Sequence, residues 1–178
     1  KSFNEHSKMS ATAAAGKFKG GLADNSEKTT AFHTAVHLML AGLREVLGSH
    51  VHQKGSNITA ERIRFDFSHD LKMTDEEKSA VEKYVNDGIE AAALVTVSEM
   101  AKDKAYAEGV EGSFWEKYPE IVKVYSIEDQ MGKVWSKELC GGPHVDNCSI
   151  LSNYGQFKIG KEQSSSAGTR RVKATFVE

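Results

Sequence analysis

The chain has 178 residues, 39% of them hydrophobic and 27% charged, with a formal net charge of −2. This is enough to bury one full core, so one domain with or without an appendage is expected, and a uniformly basic nucleic-acid coat is excluded. No apolar run is long enough to span a membrane, and two cysteines make no disulfide framework, which points to a reducing cytoplasm.

Residues 1–23, rich in Ala, Lys and Gly, read as a helical tail or linker. The start at Lys1, without an initiator Met or a signal-peptide pattern, suggests a piece of a longer chain. The domain proper is placed at residues 24–178. Asp24 and Glu27 have capping-box spacing, and a helix follows to about Gly48 with Phe32, Val36, Leu40, Leu43 and Leu47 on its inner face. In "RIRFDFS", Ile63, Phe65 and Phe67 alternate with Arg62, Arg64, Asp66 and Ser68, the pattern of a half-buried strand. Arg64 and Asp66 share a face there and are expected to pair.

Thr74 and Glu77 form a second capping box, opening a helix to about Ala93 that buries Val81, Tyr84, Val85, Ile89 and Ala92. "LVTVS" reads as a strand, residues 99–108 as a short helix and "IVKVYSI" as another strand. After a glycine turn at 140–144 come strand-like "GQFKIGKE", a loop "QSSSAG" and a last strand "RRVKATFV". There is no regular βαβ alternation. The predicted fold is α+β, a largely antiparallel sheet packed with helices.

Two places carry chemistry. His33 and His37 stand at i and i+4 on the first helix, about 40° apart around its axis, so both imidazoles can reach one ion. Cys140 and His144 add a thiolate and an imidazole on a sharply bent turn, "KELCGGPHV", and zinc takes both donor types. Two core histidines would give the first pattern without any metal, but the second is hard to explain structurally. The remaining candidates have plainer readings. His50 and His52 suit a surface turn or strand edge, Cys148 a small buried hydrophobe, and Phe114, Trp115 and Tyr118 the core rather than a platform for bases. No phosphate-binding P-loop, dinucleotide fingerprint or nucleophile elbow is present.

Charge is unevenly spread. Residues 71–129 hold 7 Lys/Arg against 14 Asp/Glu, residues 130–178 hold 7 against 4 and residues 1–70 hold 9 against 7. A polyanion is drawn to such flanks and repelled by the middle, although solvated helix faces give the same central excess.

The segments "HTAVH", "HQKGSN", "RFDFSH", "KELCGGPHV", "FKI" and "SSSAGTRRVKA", in this order, resemble the editing domain of alanyl-tRNA synthetase. The threonyl-tRNA synthetase editing domain shares the HxxxH and CxGPH parts, and free-standing alanyl-tRNA deacylases are related. The resemblance covers nearly the whole chain, including "KFKGGLAD", which favours a synthetase fragment over a free-standing deacylase. It implies the editing-domain type of α+β fold and proofreading: hydrolysis of tRNA(Ala) mischarged with serine or glycine. A pocket sized for alanine rejects such amino acids only tens- to hundreds-fold, so a second, hydrolytic site is needed.

The family's zinc ligands fall on His33, His37, Cys140 and His144. Gln53 matches a glutamine associated with editing, and Thr34 is expected to face the pocket and sense a seryl hydroxyl. Partners so implied are the acceptor end of tRNA(Ala) and the rest of the synthetase, in the cytoplasm. Lys158, Lys161, Arg170, Arg171 and Lys173 are candidates for phosphate contacts.

Three departures stand out: Pro143 where many alanyl enzymes have Thr, about three extra residues between Asn147 and Phe157, and Cys148 in place of Thr. The longer stretch suggests a remodelled loop beside the site. Two alternatives stay open, a metal-stabilised tRNA-binding module without turnover and Cys140 acting as a covalent nucleophile. The nucleophile ranks lower, because a metal-bound thiolate attacks poorly and no partner acid is evident.

Overall fold

The computed structural model describes residues 22–24, 26–112 and 114–178; the expected tail therefore lies outside the described residues up to position 21. The first helix, α1 (Glu27–Leu47), is capped by Ser26, whose Oγ accepts from the Thr29 N–H. Asp24, expected as the cap, instead accepts from the Ser26 N–H and steadies the cap from outside the helix. Two strands follow, β1 (Gln53–Ile58) and β2 (Ile63–Ser68), and then α2 (Asp75–Glu90). The capping box of α2 is formed as expected: Thr74 Oγ1 accepts from the Glu77 N–H while the Glu77 carboxylate accepts from the Thr74 N–H. The helix stops short of Ala93, and Ala92 turns the chain at φ 51°.

The next elements are β3 (Leu94–Ala101), α3 (Lys102–Ala107), β4 (Ile121–Glu128) and β5 (Val134–Leu139). A short 3-10 segment over Cys148–Tyr154 then leads into the long hairpin β6 (Gln156–Ser166) and β7 (Thr169–Val177). The strands form two antiparallel sheets, one ordered β1-β2-β7-β6 and the other β3-β4-β5. The α+β fold is as expected, with two sheets in place of one.

Other differences have local causes. The expected loop "QSSSAG" is strand through Ser166, because Gln163, Ser164 and Ser166 pair with Arg171, Arg170 and Thr169. β1 is an edge strand of polar residues in which only Ile58 is buried, so it shows no alternation. Asp66 does not pair with Arg64. Its direct cross-strand neighbour is Arg171, whose Nε and Nη2 donate to the two carboxylate oxygens at 2.7 and 3.0 Å.

α1 is the centre of the molecule. Ala31, Phe32, Ala35, Leu38, Met39 and Leu43 are inaccessible or nearly so, and the helix meets α2, β1, β2, β5 and the 3-10 segment. Sheet one contributes Ile63, Phe65, Phe67, Phe157 and Val172 to this core, and α2 contributes Val81, Val85 and Ile89. Tyr84 of α2 is only partly buried and bonds the Trp135 carbonyl at 2.7 Å. It lies so close to Gly42 that a Cβ there would meet its ring at 3.1 Å, a tight contact that the tyrosine ring would have to ease.

The extra residues before Phe157 do not loop beside the site. They form the 3-10 segment, which buries Leu151 and lays Tyr154 edge-on against Phe32. A smaller core of Ala105, Val110, Val122, Val124 and Leu139 holds α3 on sheet two. Glu111 ties the two halves together, with Arg44 at 2.9 Å and His52 at 2.8 Å on its carboxylate.

Two substitutions separate core from cap. Phe65→Ala should remove about 3–5 kcal/mol of stability and Thr74→Ala about 1 kcal/mol. Urea unfolding should show both as a lower midpoint with an unchanged slope.

Candidate metal centre

His33 and His37 point from α1 toward the turn that follows β5. That turn is sharp because Gly142 sits at φ 73° with Tyr125 packed against it: a Cβ at Gly142 would come within 2.4 Å of the tyrosine oxygen. The Gly142–Pro143 peptide is cis. The turn delivers Cys140 and His144 to the two helical histidines, and one donor atom from each of His33, His37, Cys140 and His144 lies within 4.8 Å of all the others.

Each imidazole is held by its outer nitrogen. His33 Nδ1 donates to the Pro143 carbonyl at 2.8 Å, and His37 Nδ1 meets the Glu138 carboxylate. His144 Nδ1 lies 3.0 Å from Thr34 Oγ1, which also accepts from the Val145 N–H at 3.2 Å and can donate to the Thr30 carbonyl. With Nδ1 occupied in all three rings, Nε2 is the nitrogen left to face the centre, the arrangement that orients metal-bound histidines. Cys140 Sγ is 3.4 Å from both His33 Nε2 and His144 Nε2 and accepts from the Gly142 N–H. Tetrahedral zinc bonds of about 2.0–2.3 Å place a nitrogen and a sulfur ligand roughly 3.6 Å apart. The donor set fits such an ion.

Without a cation, the electrostatics give Cys140 and His144 their ligand forms, while His37 must release a proton before it can bind a metal. Burial opposes a charged thiolate at Cys140, but the His33 and His37 charges and hydrogen bonds from His144 and His33 bring it well below the usual thiol range. Burial together with the His37 charge lowers His144 to about 3, so its ring is neutral. Burial also opposes charge on His37, yet the Glu138 carboxylate and the Cys140 sulfur outweigh it and lift this histidine to about 10. Glu138 itself is pushed up by burial against the pull of His37. The thiolate is thus stabilised by its cationic neighbours, as a metal would stabilise it.

His33, His37 and Cys140 of the cluster line a cleft of about 480 Å³. Val36 of α1, Gln53, Glu138, Leu139 and residues of β4 line it too, as do Gly112, Phe114, Lys117, Tyr118 and Pro119. Gln53 lines this space, and its Nε2 donates to Ser56 Oγ at 3.1 Å. Thr34, expected to face the pocket, is wholly buried behind His144 and is not among the lining residues.

Phe114 is not core. It is 43% exposed and forms part of the cleft wall with Tyr118, while Trp115 is partly buried against the smaller core. Of the proposed phosphate contacts, Lys158, Lys161 and Lys173 are exposed. Arg171 is paired to Asp66 and Arg170 to Glu162. His50 is exposed and stacked on His69, and Cys148 is fully buried, as expected.

Glu138 is the site residue that spacing in the sequence could have given. It is two positions before Cys140, hence on the same side of the chain as it leaves a strand. "VWSKEL" was not expected to be a strand, so this relation was hidden.

Residues 122–173 match the family described as the threonyl and alanyl tRNA synthetase second additional domain. The chain is 52% identical over 174 residues to an alanine–tRNA ligase of Treponema denticola, with 98% of this chain covered. It is 51% identical to that of Treponema pallidum over 97% of the chain, and 49% identical to that of Borrelia garinii subsp. bavariensis over 99%. It spans only 28%, 27% and 28% of the length of these relatives. With about half of its residues identical to these relatives over nearly its whole length, the chain belongs to the alanine–tRNA ligase family, and residues 122–173 carry its match to the threonyl and alanyl tRNA synthetase second additional domain.

Proposed function

We propose that the cleft hydrolyses the ester of tRNA(Ala) wrongly charged with serine or glycine, as the proofreading part of an alanine–tRNA ligase acting in the cytoplasm. One observation carries this reading: four ligand-type side chains converge, three of them (His33, His37 and Cys140) lining a cleft, in a chain about half identical to alanine–tRNA ligases. The cation we assign to His33, His37, Cys140 and His144 is zinc, for which nitrogen and thiolate donors at these separations are suited. When bound, it supplies positive charge that polarises the ester and helps order the 3′ end.

The chain's own residues do the rest. Gln53 lines the same cleft, and its amide orients the attacking water or the substrate's amino group. Thr34 acts through His144, holding that ring with its Nδ1 turned away from the centre. A seryl hydroxyl is read by a group other than Thr34, whose Oγ1 is enclosed by His144, Val145 and Thr30. Cys140 serves as a ligand rather than a nucleophile, because its sulfur faces imidazole nitrogens of the cluster. Lys158 is free to meet acceptor-stem phosphates, whereas Arg170 and Arg171 must first exchange a carboxylate for a phosphate.

A second reading has one observation in its favour. Four protein donors close a tetrahedral shell, as in structural zinc sites. The domain would then be a metal-stabilised tRNA-binding module without turnover, and a deacylation assay separates the two. Seryl- and glycyl-tRNA(Ala) should be hydrolysed much faster than alanyl-tRNA(Ala). Gln53→Ala should lower kcat by roughly a hundredfold, the usual loss for one oriented polar group at a reacting centre. No release above the uncatalysed rate from any of the three would leave the binding module.

Metal analysis of the purified chain should find about one zinc per molecule, falling close to zero in His37→Ala and Cys140→Ala. Gly142→Ala should lower zinc content as well, since the new Cβ displaces Tyr125 and with it the turn; His50→Ala should leave it unchanged.

A further inference from the structure

The cleft has a wall that the metal cluster does not explain. Gly112, Phe114, Lys117, Tyr118 and Pro119 and, from β4, Lys123 all line the space. Phe114 leaves 43% of its surface exposed, although a core position would hide it. The segment is braced for that exposure. The Phe114 N–H donates to Tyr118 Oη at 3.2 Å, the Lys117 N–H to the Phe114 carbonyl at 2.9 Å, and Lys102 Nζ to the Tyr118 carbonyl at 3.3 Å. Behind it, Trp115 stands edge-on to both Tyr118 and Tyr106. A held aromatic face that is not buried is suited to stacking against a planar group.

The charges point the same way. Lys117 and Lys123 are exposed, and among the described residues neither pairs with a carboxylate. Glu116 and Glu120, close by in sequence, do not line the cleft, and Glu138, which does, is engaged with His37. Two free cations beside an exposed aromatic ring form the combination that holds single-stranded nucleic acid: stacking on the base and attraction to the backbone. A volume of about 480 Å³ suits one nucleoside with its ester, and is far too small for a duplex.

We propose that Phe114, Tyr118, Lys117 and Lys123 hold the unpaired 3′-terminal nucleotide of the acceptor strand. The base stacks on Phe114 beside Tyr118, its 5′-phosphate and the phosphate of the preceding nucleotide lie against the two lysines, and the 3′ ester is directed toward His33, His37, Cys140 and His144. These are positioning residues. The inference rests on the proposed tRNA substrate, whose ester fixes the terminal nucleotide, and adds which side chains hold that nucleotide.

Its test is binding of uncharged tRNA(Ala) transcripts made with and without the 3′-terminal adenosine, followed by fluorescence anisotropy. The chain should bind the complete transcript roughly tenfold more tightly, the lower-middle range for one stacked base. Phe114→Ala should bind both transcripts alike, while Phe114→Trp should restore the preference and so show that the segment still folds. Lys117→Ala and Lys123→Ala together should lower the log–log salt slope by about 2. Equal binding of both transcripts by the unaltered chain, an undiminished preference in Phe114→Ala, or an unchanged slope each overturns the proposal. Hydrolysis of seryl-tRNA(Ala) by the unaltered chain is scored apart: a chain that senses the terminal nucleotide yet leaves the ester intact keeps this inference and loses the hydrolase.

Discussion

The helix through the centre of this domain carries polar side chains where a core helix ordinarily carries none. Thr29, His33, Thr34 and His37 are all buried on α1. A buried polar group without a partner costs about 1–3 kcal/mol, so the helix can occupy this position only if other elements bring partners to it. The Pro143 carbonyl, the Glu138 carboxylate and the pair His144 and Val145 do so. The contacts that orient the imidazoles are therefore also the ones that dock β5 and its turn on α1. Site and fold share one set of bonds, and the register of sheet two against the helix follows from them.

This sharing explains which features could be read from the sequence. Strong local signals gave the main elements: the apolar spacing of α1, the alternation in "RIRFDFS", and the Thr74–Glu77 box that caps α2. The ligand residues were visible too, since His33/His37 and Cys140/His144 each form a short pair. What local pattern could not supply was anything set by a distant partner. β1 is strand because β2 lies beside it, and "QSSS" continues β6 because β7 extends far enough to pair with it. Asp66 chose Arg171 across the sheet over Arg64 two positions away. Thr34 lies between the ligand histidines in sequence, but the helix turns it to the rear of the cluster, where His144 and the Val145 amide take its oxygen.

A closed ligand shell changes how the cleft can act. Once four protein donors are committed to a cation, selectivity and orientation fall to the surfaces around it. In this chain those surfaces differ in kind. The lining offers Val36, Leu139 and the amide of Gln53, and with them the aromatic and cationic groups Phe114, Lys117, Tyr118 and Lys123. Under the proposed function this grading in kind serves two parts of one substrate, the apolar groups a small amino-acid side chain and the rings and lysines a nucleotide.

Net charge by segment conceals this grading. Residues 130–178 are positive on paper, but Arg170 and Arg171 are bound to Glu162 and Asp66, so part of that charge is neutralised within the sheet. Residues 71–129 hold twice as many acidic as basic residues, yet Lys117 and Lys123, which line the cleft, belong to this acidic stretch. At physiological salt, exposed charges act over about 8 Å, so a phosphate entering the cleft responds to these two ammonium groups more than to carboxylates on distant faces. A chain of net charge −2 can in this way present a locally cationic entrance to a polyanion, and the placement of a few unpaired lysines governs it where the segment totals do not.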